Sequence, residues 1–142
     1  MANTYLQFSI VLDSVNPQEA EHIKNRTRFY ERNDVDTGWV VNYDEEHQNL
    51  WLYADENGNV ESFADMLQDF IKLTGRGPIT FTWAMTCSKP RPDEFTGGGC
   101  VVEKDSIEFW NATFWAMRQL ARIEAEEKRK VQKQEAFDPN LS

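Results

Sequence analysis

Cysteine and histidine are almost missing from this sequence, at two each in 142 residues. Cys87 and Cys100 are too few for a disulfide framework and lack the CxxC spacing of a zinc site or redox dithiol, so free buried thiols are expected. They bracket a Pro/Gly stretch, and direct pairing of its flanking strands would bring them near each other. His22 falls on a polar helix face and His47 in a turn; both read as solvated imidazoles, with no nucleophile-and-base pattern around either. Glu45-Glu46-His47 are adjacent residues, which do not converge on one ion unaided. Asp55-Glu56-Asn57-Gly58-Asn59 resembles the start of a calcium loop, but Val60 and Met66 stand where such a loop needs Gly and Glu. No catalytic, cofactor or metal residue is therefore expected. Long apolar runs are missing as well: no window approaches the roughly 18 apolar residues of a membrane span. The opening MANTYLQFSIVLD has no basic leader, which predicts a cytoplasmic protein.

The most informative shortage is of positive charge. Between Arg32 and Lys72 there is no Lys or Arg, while ten carboxylates occur there: Asp34, Asp36, Asp44, Glu45, Glu46, Asp55, Glu56, Glu61, Asp65 and Asp69. Of the formal −9, this segment supplies −10 and the rest of the chain +1. Segregated charge of one sign opposes direct binding to nucleic acid or a membrane and favours a basic protein surface. Charge kept for solubility is the plainer alternative.

What the chain does hold is core material. Apolar residues make up 40% and aromatics 13%, with five Trp and nine Phe, which excludes disorder over most of its length. Leu6, Phe8, Ile10 and Leu12 alternate with Tyr5, Gln7, Ser9 and Val11, the period of a strand. Asn16-Pro17 is a helix start, and a helix is expected over 17–31. Trp39–Tyr43 and Leu50–Ala54 read as a hairpin. Phe63, Met66, Leu67, Phe70 and Ile71 mark a second helix, capped by Asn59 or Ser62 and ending at Gly75. Residues 79–87 read as a fourth strand, 89–99 as a loop, and Cys100–Glu103 with Ile107–Trp110 as a second hairpin. A last helix begins at Thr113, with Phe114, Met117, Leu120 and Ile123 on one face. The order predicts an α+β fold, a ferredoxin-like β-α-β-β-α-β core with an added C-terminal hairpin and long helix. Residues 1–123 are expected as a single domain, and 124–142 as a charged helix extension with a frayed tail.

Three surfaces are candidates for function. The acidic one comprises Asp44, Glu45, Glu46, Asp55, Glu56, Glu61, Asp65 and Asp69, with Trp51 and Tyr53 as a candidate aromatic anchor on the same hairpin. In RNA-recognition modules aromatics so placed stack bases, but here carboxylates surround them. The sharpest form of this reading is an inhibitor that mimics DNA through phosphate-like carboxylate spacing. The alternative is a small-molecule site or enzyme using the 89–99 loop, where Arg91 supplies charge and Gly97, Gly98 and Gly99 supply backbone N–H groups. Assembly through the last helix is a third reading, although its apolar spacing lapses after Ile123 and oligomeric state stays open.

The stretch Trp83-Ala-Met-Thr-Cys-Ser-Lys-Pro-Arg-Pro-Asp-Glu-Phe-Thr-Gly-Gly-Gly-Cys-Val-Val102 resembles uncharacterised small proteins of tailed phages and prophages. The resemblance implies a non-enzymatic role in host takeover or counter-defence and brings no site residues with it.

Overall fold

The computed structural model describes residues 3–91 and 94–137. The elements are β1 (Thr4–Leu12), α1 (Pro17–Arg32), β2 (Val40–Asp44), β3 (Asn49–Ala54), α2 (Val60–Thr74), β4 (Ile79–Cys87), β5 (Thr96–Val102), β6 (Ile107–Asn111) and α3 (Ala112–Phe137). This is the expected α+β composition of six strands and three helices. The chain divides into two compact units, Met1–Trp110 and Asn111–Ser142.

In the first unit the helices start where side chains satisfy their end N–H groups. Asn16 and Glu19 form a reciprocal capping box: Glu19 N donates to Asn16 Oδ1 at 2.8 Å and Asn16 N to Glu19 Oε1 at 3.0 Å, ahead of Pro17. Of the two caps expected for α2, Asn59 is the one used, accepting from Ser62 N at 3.1 Å. The sheet order is β2-β3-β1-β4-β5-β6. The pairings β2–β3, β3–β1, β1–β4 and β4–β5 are antiparallel, with Ile10 opposite Leu52 and Phe81 opposite Cys100.

Both helices of this unit cover one sheet face. Phe8, Leu12, Leu50, Leu52, Phe81 and Val102 point into it and meet Ile23 of α1 and Phe63, Leu67 and Phe70 of α2. Phe63 is the hub, its ring centroid 4.3 Å from Phe8, 5.0 Å from Phe81 and 5.3 Å from Trp39. Aromatic rings meeting tilted, as Phe8 does, or edge-on, as Phe81 and Trp39 do, add at such distances to the burial that drives the fold.

Three expectations need correction. Trp39 is not in β2; it turns into the core, where Nε1 donates to Thr27 Oγ1 at 3.0 Å. A buried indole needs that acceptor more than a ladder position. The glycine run is not a loop either, because β5 begins at Thr96 and pairs Gly97, Gly98 and Gly99 with Ala84, Trp83 and Thr82. Gly98 is demanded by packing: a Cβ there would lie 2.0 Å from the Trp110 carbonyl oxygen and 2.4 Å from the Trp83 ring. Nor do the two thiols approach each other. Cys100 faces Phe81, six positions along β4 from Cys87, roughly 20 Å at the rise of a strand.

In the second unit, Asn111 Oδ1 accepts from Thr113 N at 2.9 Å and Phe114 N at 3.2 Å, which starts α3. Beyond Ile123 the helix is charged, with Arg122 and Glu126 paired at 3.2 Å. Of the tail expected to fray, 137–142, Phe137 is still the last residue of α3, and 138–142 lie outside the described residues. Among the described residues no helix is long and apolar enough to cross a membrane.

Candidate functional site

All ten carboxylates of the acidic block reach the surface, nine fully and Asp69 partly. Asp69 Oδ2 lies 2.7 Å from His22 Nε2, and Asp44 Oδ2 lies 2.7 Å from His47 Nδ1. Among the described residues no Lys or Arg pairs with any of the ten; the Arg–carboxylate pairs involve Glu19, Glu21, Glu94 and Glu126 instead. The two histidines expected as solvated thus each face a carboxylate. The hydrogen bond from His47 holds the Asp44 carboxyl below the usual range. Partial burial, then Glu45, Glu19 and Asp44, push the Tyr43 phenol up, while its hydroxyl donates to Val15 O at 2.5 Å.

The fold splits the acidic block into two groups. Asp44, Glu45 and Glu46 sit in the turn where β2 becomes β3, and Asp55 and Glu56 follow the other end of β3, roughly 17–20 Å away. Asp34 and Asp36 join this second group, because the α1–β2 connection is fastened to the turn after β3. Asn59 N donates to Thr37 O at 3.0 Å and Asn59 Nδ2 to Asp36 O at 2.9 Å. Gly38 takes φ +69°, and a Cβ there would fall 1.9 Å from the Asn57 carbonyl oxygen, so only glycine fits this junction. A hollow of about 810 Å³ results, lined by Glu31, Asp34, Asp36 and Asn57 among others. Glu61 opens α2 beside that turn, and Asp65 and Asp69 continue along the helix. Glu31 lies just ahead of Arg32, so the sequence segment that defined the block missed it.

The sheet face turned away from α1 and α2 has a different character. β1 contributes Tyr5, Gln7, Ser9 and Val11, β3 contributes Trp51 and Tyr53, and β4 contributes Thr80, Thr82, Ala84 and Thr86. No Asp, Glu, Lys, Arg or His is among these residues of β1, β3 and β4. Trp51 and Tyr53 stack on each other, centroids 4.2 Å apart at 30°, and Trp51 Nε1 donates to Ser9 Oγ at 2.8 Å. Their faces are turned to one another rather than laid flat for bases. Tyr5 pairs with Thr86, four positions along β1 from the Ser9–Tyr53 pair, and stands apart from the stack. A shallow trough of about 450 Å³ runs beside the stack between Gln7, Ser9, Tyr53, Thr82 and Ala84. Its membership depends on cross-strand register, which no spacing along the chain reveals.

The residues expected to build a ligand loop, Arg91 and Gly97–Gly99, do not share a loop. The Arg91 guanidinium lies 3.8 Å from Glu94 Oε1, while the glycines stand in the β4–β5 ladder. Cys100 is equally unsuited to nucleophilic chemistry, since burial pushes its thiol up to about 11. Among the described residues no three His, Cys, Asp or Glu side chains converge as metal ligands would.

Comparison with known proteins adds little. No family model matches the chain, and no curated protein matches it. Among solved structures a match is the apo form of LarC2, the C-terminal domain of a cyclometallase involved in the synthesis of the NPN cofactor of lactate racemase. The two chains share 14% identity with a TM-score of 0.34, over 88% of this chain and 89% of that one. A likeness so slight carries neither fold nor function across.

Proposed function

We propose that this chain is a non-enzymatic binding protein whose acidic surface occupies a basic site on another protein. The observation that carries the reading is that eight of the ten carboxylates between Arg32 and Lys72 make no ion pair among the described residues, and the other two face only histidine. Ten acids displayed without Lys or Arg partners repel one another, and a basic surface relieves that repulsion. Two groups about a strand length apart are also compatible with competition for a nucleic-acid channel, the DNA-mimic form of the reading. Trp51 and Tyr53, beside the hairpin acids, would add apolar contact. The strand order β2-β3-β1-β4 with α1 and α2 on one face supports a ferredoxin-like core, to which β5, β6 and α3 are additions.

The test is affinity capture from nuclease-treated lysate at low salt, with the wild-type chain beside a variant reversed at Asp44, Glu45, Glu46, Asp65 and Asp69. A basic protein retained by the wild type, released by salt and lost from the variant supports the reading. A partner held equally by both, or none held by the wild type, refutes it.

A further inference from the structure

We infer that the outer edge of β2 is where an extended, basic peptide segment docks, adding a strand to the sheet. This rests on the acidic-surface reading above and names the form the partner takes. β2 ends the sheet on one side, so among the described residues its outward main-chain N–H and C=O groups have no strand to pair with. Natural edges are blunted by lysine, proline or a covering element; β2 is Val40-Val41-Asn42-Tyr43-Asp44, with neither lysine nor proline. It is bracketed by acid instead. Asp36 and the hollow lined by Glu31 and Asp34 lie before its first residue, and Asp44, Glu45 and Glu46 close its far end. Lys24 approaches from the helix-covered side, its ammonium 6.0 Å from the Tyr43 ring centroid.

An occupant must therefore be extended along five residues, uncharged at its centre, and basic at both ends. Main-chain hydrogen bonds to β2 supply affinity that is blind to sequence, and the two acidic groups select for Lys or Arg at the ends. The opposite edge, β6, has a Trp and a Phe among its five residues; Glu103 and Asp105 precede it, but no acid follows it before Glu124, so it lacks this bracket and serves as an internal control.

The probe is the octapeptide Arg-Lys-Thr-Val-Thr-Val-Lys-Arg, added to the full chain at low salt and followed by amide hydrogen exchange. A second peptide of the same sequence is N-methylated at alternate residues, which removes one row of donors and leaves its charge intact. The inference requires slowed exchange at residues 40–44 with no change at 107–111, and binding weakened by about tenfold for each main-chain hydrogen bond lost to methylation. A methylated peptide that binds as tightly as its parent, or protection that falls elsewhere, overturns the docked edge while the acidic reading stands on its salt dependence. An Asp44→Lys, Glu45→Lys, Glu46→Lys variant that binds the parent octapeptide as the wild type does removes the charge selection, and the inference with it.

Discussion

The two faces of the sheet are built from the same strands and differ in almost every other respect. Toward α1 and α2 the alternate residues are Phe, Leu, Ile and Val, rings interlock around Phe63, and exposure falls to zero. Away from them the intervening residues are Thr, Ser, Gln and Val, with Trp51 still 43% exposed. One face holds the fold together, and the other is at liberty to differ without unfolding the chain. A strand alternates its sides at every residue, so both properties are written into one nine-residue stretch such as β4.

Substitutions should expose that contrast. Phe63→Ala empties the hub of the covered face and is expected to cost about 3–5 kcal/mol in denaturant unfolding, a large share of the stability of a domain this size. Gly98→Ala adds a single methyl group between Trp83 and the Trp110 carbonyl; overpacking of this kind costs about 1–3 kcal/mol, read in the same experiment. Trp51→Ala, on the other face, removes the stack with Tyr53 and the hydrogen bond to Ser9. A loss near 1 kcal/mol with an unchanged denaturant slope is expected. If Trp51→Ala destabilises as much as Phe63→Ala, the division of labour between the faces is wrong.

Two pH effects extend the comparison. Cys100 lies on the covered face with its thiol pushed up to about 11, above the ordinary value. Its contribution is present at neutral pH and falls away as pH rises above the ordinary thiol value toward about 11. Correspondingly, a thiol reagent at pH 8 should modify Cys100 in a Cys87→Ser background only as fast as the chain unfolds. Asp44 gives the smallest effect and the opposite sign. Its carboxyl is held below the ordinary value by His47, so its stabilisation is present above that value and lost as pH falls through the lowered one. His47→Ala should flatten the acid limb of a stability–pH curve slightly; an unchanged limb would show that the pair contributes nothing.

Much of this architecture is legible in the sequence because periodicity is local. The alternation in Thr4–Leu12, the Asn16-Pro17 start and the spacing of Phe63, Met66, Leu67 and Phe70 each announce an element within a dozen residues. What register decides is not legible. That Cys100 faces Phe81, that Ser9 receives the Trp51 N–H, and that Gly97–Gly99 continue a strand all follow from pairing between segments far apart in the chain. The glycine run misled for a physical reason: glycine is common in loops for its backbone freedom, but here Gly98 is selected for its missing side chain. Nor does local spacing reveal what Arg76 does: its guanidinium donates to Asp13 O and Ser14 O, at 2.8 and 2.5 Å, and lies over the Phe70 ring. The acidic block was legible as a count, and its division into two groups was not.

The Gly38 junction has a consequence for recognition. With no room for even a Cβ against the Asn57 carbonyl, and with Asn59 bonded to both Asp36 and Thr37, the two acidic connections at that end of the sheet are locked into one body. The main chain carrying Asp36 is thereby fixed against the turn that carries Asp55. On the proposed reading, a basic partner would order little main chain on binding there, and a rigid template of negative charge would gain in affinity what a mobile acidic loop would forfeit.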